Sequence, residues 1–203
     1  RCIFTRLRKY FSRYTLDVGE KITGIPYGEV DPHDRQNRVI VDIELAPRNA
    51  RGNVEYAADF DLLRPADFTR GNGTPLYDVN NRGNKRVIHL LNDVAASNAL
   101  DTPETAGDGF LMRHGFTLAW SGWIPGMPRA PHVLGLEVPS APGLEGQVWD
   151  EFLFNDARQA SARLSFAAAS TDKSRARLTV RDRNDATPTV VPAWEFSDTR
   201  TIR

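Results

Sequence analysis

Pro75-Leu76-Tyr77-Asp78-Val79, then Asn80-Asn81-Arg82-Gly83-Asn84-Lys85, then Val87, Ile88, Leu90, Leu91, Val94 and Ala95 at helical spacing: this is the stretch on which the fold turns. A short apolar run ends in a polar, glycine-containing loop, and a 3.6-residue apolar period comes next. Further on, Gly109 to His114 reads as a second short helix closed by Gly115, a residue suited to a left-handed cap. Phe116-Thr117-Leu118-Ala119-Trp120 then reads as a strand, closed by Ser121-Gly122-Trp123. Strand, loop, helices, strand is the order that builds a crossover and a parallel strand pair.

Upstream, Val39, Val41, Ile43 and Leu45 alternate with Asp42 and Glu44, and Val54, Tyr56, Ala58, Phe60 and Leu62 alternate again. The turn-rich Pro47–Asn53 lies between them, so the two runs read as an antiparallel hairpin over 39–63. Asp59 and Asp61 fall on the face opposite Tyr56 and Phe60 and read as a solvated strand face, not a metal or acid–base pair. At the start of the chain, Ile3, Phe4, Leu7, Tyr10, Phe11 and Tyr14 stand at helical spacing with basic residues between them. They read as a terminal helix laid on the core, or as an end without fixed structure, in preference to a membrane-surface helix.

Downstream of Val133 every segment carries strand signal: Val133–Val138, Gln147–Phe154, Ala160–Phe166, Arg175–Asp182 and Val190–Phe196. Five such runs suggest a small β-sandwich or a β-rich insertion over 133–203. Composition narrows the function. The 26 Lys and Arg balance 26 Asp and Glu, without the basic excess that neutralises nucleic-acid phosphates, so no nucleic-acid partner is expected. Cys2 is the sole cysteine, which excludes a disulfide framework and a thiolate zinc site. No apolar stretch approaches the length of a membrane span.

Tyr27–Pro32, Ala46–Gly52, Tyr77–Lys85, Gly109–Phe116, Trp120–Trp123 and Trp194–Phe196 together resemble the bacterial proteins described as alpha/beta hydrolase domain-containing, many of them exported. The resemblance runs from about Gly19 to Arg203, is specific at Asn80–Lys85, and does not reach the first eighteen residues. It implies an α/β class with a β-rich portion. Residues 1–18 stand apart, 19–132 form the early strands of an α/β-hydrolase-like sheet, and 133–203 form a sandwich-like insertion ahead of a catalytic half beyond Arg203. It also implies a serine-type, esterase-like activity on a small ester-like substrate, and export to the periplasm or outside, although no signal peptide is visible. A start without Met points the same way, toward an incomplete chain. Such a piece should be marginal or aggregation-prone alone, because it would expose a strand edge and an apolar face.

In that fold the nucleophile needs a Gly-x-Ser-x-Gly elbow, and no such pentapeptide occurs. Ser121 is the nearest candidate, but Trp123 two residues on should clash with an elbow, so no catalytic residue is assigned in this chain. The loop after the third strand of such proteins supplies an oxyanion-hole N–H. The resemblance therefore makes Asn80, Asn81, Arg82, Gly83 and Asn84 the oxyanion or substrate-loop candidates, against a loop stabilised by its own Asn side chains. His33, His89, His114 and His132 have no ligand spacing, and neither metal nor cofactor is expected. Asp150 and Glu151 point to opposite strand faces, and Gly71-Asn72-Gly73 is a turn, not a phosphate cradle. The four tryptophans read as packing before they read as a sugar-binding face. The other reading is a β-rich binding module for carbohydrate or protein. A hydrolase descendant that kept the scaffold and lost the elbow is a third.

Overall fold

The computed structural model describes residues 6–8, 14–16, 19–127, 130–156 and 158–203. The chain divides into two compact units, Arg1–Pro142 and Gly143–Arg203.

The first unit is built around one long strand. Strands β1 (Arg6–Arg8) and β2 (Tyr14–Leu16) both pair with β3 (Gly19–Val30), which is 12 residues long. They occupy part of the stretch whose spacing suggests a helix, and the remainder of 1–18 lies outside the described residues. β3 then runs antiparallel to β4 (Val54–Ala58) and β5 (Phe60–Pro65). The register is the same for both: Tyr27 faces Ala57, and Gly24 faces Phe60. β4 and β5 are thus one strand interrupted at Asp59. At the interruption Asp59 N–H donates to Gly135 O (2.9 Å), Gly122 N–H donates to Asp59 O (2.8 Å), and Gly135 N–H donates to the Asp59 carboxylate (2.8 Å).

The hairpin over 39–63 does not form: residues 54–65 pair with 19–30, and 39–45 is not a strand. Residues 31–53 form the loop between the arms and contain two single-turn 3-10 helices, Arg35–Asn37 and Ile43–Leu45. Asp42, at φ 56°, breaks the run of alternating residues, because a left-handed residue cannot continue a strand. Val39 and Val41 are each 84% exposed. β3 hid from pattern reading because its inward groups are polar. Glu20 accepts from Arg64 Nε and Nη2 at 2.8 and 2.6 Å, and Glu29 accepts from Arg51 and Asn49. The Arg51 guanidinium, and after it the Asn49 amide, hold the Glu29 carboxyl below the usual carboxylate range.

β6 (Pro75–Tyr77) pairs in parallel with β7 (Thr117–Ser121), and β7 runs antiparallel to β5. Between them stand α1 (Val87–Leu91), a 3-10 turn at Pro103–Ala106, and α2 (Phe110–Arg113). The expected strand–helices–strand unit is present, with Gly115 at φ 72° closing α2. β8 (Leu136–Glu137) completes the sheet, whose order is β6-β7-β5-β3-β4-β8.

The α/β-hydrolase-like sheet is not what forms. The β6–β7 ladder is the one parallel ladder among the described strands, and the two α-helices have five and four residues. A parallel α/β sheet needs crossover helices long enough to cover its faces. Here each helix stops after about one turn. Asn92 ends α1 and ties it to the turn and helix downstream: its Nδ2 donates to Ala106 O (2.9 Å), and its Oδ1 accepts from Leu111 N–H (3.1 Å). The unit is a mainly antiparallel β fold with a helical patch. Its core gathers Leu63, Val87, Ile88, Leu100, Leu111, Leu118, Trp120 and Leu134 beneath that patch.

In the second unit the strands are β9 (Ala162–Arg163), β10 (Thr179–Val180), β11 (Thr189–Val190), β12 (Phe196–Asp198) and β13 (Thr201–Ile202). They make a two-stranded sheet, β10-β11, and a three-stranded sheet, β12-β13-β9. The sandwich-like insertion is corrected as well. No strand forms over 147–154, where Trp149 and Leu153 are 85% and 84% exposed. Among the described residues of this unit, the buried apolar ones are Ala162 and Ile202. Alternation alone cannot fix a strand where no second layer receives its apolar face.

Candidate functional site

The carboxyl ends of β6 and β7 lead into the two loops that the sequence singles out, and the residues there are joined from beneath. Asp78, directly after β6, is buried, and its Oδ2 accepts from Arg86 N–H (2.7 Å), Val87 N–H (3.0 Å) and Trp120 Nε1–H (2.6 Å). One carboxylate thus caps the first turn of α1 and pins the indole of β7. Its charge there is satisfied by the free N–H groups of a helix start.

Asn80 is 1% exposed and works as a second rivet. Its Nδ2 donates to Ser121 O (2.6 Å), its Oδ1 accepts from Gly83 N–H (2.8 Å), and its carbonyl accepts from Trp123 Nε1–H (2.9 Å). Above it, Asn81 and Asn84 exchange backbone hydrogen bonds at 2.9 and 3.0 Å across Arg82 and Gly83. Those two central residues have φ of 50° and 81°, the demand of a type I′ turn. Gly83 is held against the backbone at Leu134, whose N–H donates to Gly83 O (3.0 Å). A Cβ on Gly83 would sit 2.4 Å from Leu134 O. The glycine is needed for this close approach of two chain segments.

Lys85 anchors the far end of the loop, with no side-chain exposure. Its ammonium lies 2.7 Å from Asp61 Oδ2 and donates to Asn98 O (2.7 Å) and His132 O (3.3 Å). Asp61 is therefore a buried ion-pair partner on β5, not part of a solvated face, and Asp59 holds Gly135. Lys21, also buried, donates to Ala99 O. Burial is the main cause that lowers its pKa; Asp61 opposes this and Lys85 reinforces it. The sequence offered one signal for this cluster, two lysines at interior strand and loop positions, which a solvated-face reading of Asp61 passes over.

Among the candidates, Asn80 and Gly83 lie in the base, while Asn81, Arg82 and Asn84 are exposed. Asn84 Nδ2 donates to Asn81 O, and its Oδ1 accepts from Asn98 Nδ2. The N–H groups of Asn81, Gly83 and Asn84 are bonded within the loop, and that of Lys85 to Asn98 Oδ1. Beside the loop, Tyr77 OH and Ser121 Oγ share a hydrogen bond of 2.6 Å at a partly open surface. Ser121 ends β7 in extended pairing with Phe60, and Gly122 next to it lies on Gly135, so the backbone makes no elbow. The histidines stay apart: His33 meets Arg48, His89 Nδ1 meets Val94 O, the His114 ring meets Phe110, and His132 offers its carbonyl to Lys85. Among the described residues no cluster of three His, Cys, Asp or Glu side chains stands ready to hold a metal. Among them, too, no helix is long and apolar enough to cross a membrane.

Searches against family models, curated proteins and solved structures give no match to this chain.

Proposed function

We propose that this chain supplies a non-nucleophilic, β-rich part of a serine-type hydrolase acting on a small ester-like substrate, and that its contribution is the Tyr77–Lys85 loop. One observation carries the reading. The exposed Asn81, Arg82 and Asn84 stand on a base of Asp78, Asn80 and Lys85 whose polar groups are bonded. A surface group fixed by its supporting shell is what recognition of a small polar substrate requires. The resemblance at Asn80–Lys85 supports the same assignment. On this reading the nucleophile, the acid and the histidine belong to a segment beyond Arg203.

The test is to read the coding frame on from Arg203. A Gly-x-Ser-x-Gly pentapeptide followed by an acid and a histidine supports the proposal, and a fluorophosphonate should then label the longer protein and not this chain. In that protein Asn81→Ala with Arg82→Ala should lower kcat/KM toward short-chain esters by about tenfold. A stop codon after Arg203 would overturn the reading. The alternative, a β-rich binding module for carbohydrate or protein, is favoured by Trp149, which is 85% exposed beside the exposed Val148.

A further inference from the structure

The second unit pairs its arginines with carboxylates, with three exceptions. Arg158 meets Asp156, Arg175 meets Glu145, Arg181 meets Glu151, Arg183 meets Asp185, and Arg203 meets Glu195. Among the described residues, Arg163, Arg177 and Arg200 have no such partner. Two of the three come together. Arg163 and Arg200 line one shallow cleft of about 410 Å³ with Asp198, Thr199 and Thr201.

That cleft rests on a braced turn. Asp198 and Thr201 face each other across the β12–β13 hairpin, and Thr201 faces Arg163 on β9. Arg200 N–H donates to Asp198 Oδ1 (2.6 Å). The two carbonyls at the tip are both taken, Arg200 O by Leu164 N–H and Thr199 O by Ala168 N–H, each at 2.7 Å. With these two carbonyls occupied, the residues that line the cleft include two that carry guanidinium groups and two that carry hydroxyls. This is a donor set for an oxyanion. The lining also holds one carboxylate, that of Asp198. A carboxylate beside an anion is repulsive unless a proton lies between them. A phosphate that keeps a proton can donate it to Asp198; sulfate, fully ionised at neutral pH, has none to give.

From this we infer that the Arg163–Arg200 cleft binds inorganic phosphate, which keeps a proton at neutral pH where a monoester has mostly lost its own. The two arginines take its oxygens and Asp198 reads its proton. The site is independent of the hydrolase reading and stands on the second unit alone.

The experiment is a titration of the whole chain at constant ionic strength, followed by amide NMR shifts of Thr199, Arg200 and Thr201. Inorganic phosphate, sulfate and phenyl phosphate are the three probes. Phosphate should give saturable shifts at these residues. Arg163→Gln and Arg200→Gln should each weaken it by about tenfold, the effect of losing one charge-assisted contact. Arg177→Gln, which removes an unpaired arginine outside the cleft, should leave it unchanged. Phenyl phosphate, mostly without a proton at neutral pH, should bind more weakly than inorganic phosphate; binding as tight or tighter overturns the role of Asp198. No saturable shift overturns the site, and so does an Arg177→Gln loss as large as that of Arg163→Gln. Sulfate binding as well as phosphate overturns the role of Asp198 and with it the phosphate assignment. The Arg163 side chain is exposed and makes no bond to the described residues, so its replacement removes no contact the fold uses.

Discussion

The two units use polar and ionic groups in opposite ways. In the first, Lys85, Asp61, Asp78, Asn80 and Asn92 are buried, and each is bonded to groups far away in the chain. In the second, the ion pairs stand in solvent, and Ala162 and Ile202 are the buried apolar residues among those described. A polar group taken out of water must be bonded wherever it lies, so each buried one dictates a single arrangement of its neighbours. An exposed pair dictates little, because water replaces either partner at small cost. The first unit therefore has its strands and loops specified by its interior. The second is specified chiefly by turns.

The sharpest way to break this comparison is Lys85→Met. It strands the Asp61 carboxylate in the interior, and loss of one partner from a buried pair costs about 3–5 kcal/mol. Urea unfolding should show that loss. A cost below about 1 kcal/mol would mean that Lys21 or water takes over, and that the polar interior does not hold the unit. Gly83→Ala comes next, at about 2–3 kcal/mol, from strain at positive φ and the contact with Leu134 O. It should lower the thermal midpoint without changing net charge. Smallest is Arg181→Ala in the second unit, which removes a partly exposed pair with Glu151 and should cost under about 1 kcal/mol. A larger effect there, in the same urea series, would show that surface pairs organise the second unit after all.

Legibility in the sequence divides along the same line. Val54–Leu63, Pro75–Tyr77 and Phe116–Trp120 announced themselves through apolar residues at a strand's period, and Gly115 announced the end of α2 because it needs a left-handed φ. β3 was silent because Glu20, Lys21 and Glu29 point to partners (Arg64, Ala99 and Arg51) that no local window contains. Asp61 was misread for the same reason, since its partner Lys85 lies outside any such window. The apolar alternation of Val39–Leu45 and Gln147–Phe154 misled in the other direction, since Val39, Val41, Trp149 and Leu153 stand in solvent. At the candidate loop, the residue types were legible and the division of labour was not. Which Asn lies beneath and which faces out depends on Ser121, Trp123 and Asn98.

The interruption between β4 and β5 has its own consequence. At Asp59 the chain touches Gly122 and Gly135 through backbone and carboxylate together, and a Cβ on Gly122 would fall 2.0 Å from Gly135 O. Main chain lies directly on main chain, with no side chain between to act as a cushion. A side chain could enter at Gly122 only if the strand break, the end of β7 and the approach to β8 all moved at once. Position 122 is thus closed to gradual variation, and three separate stretches of sequence inherit the restriction from a single missing methyl group.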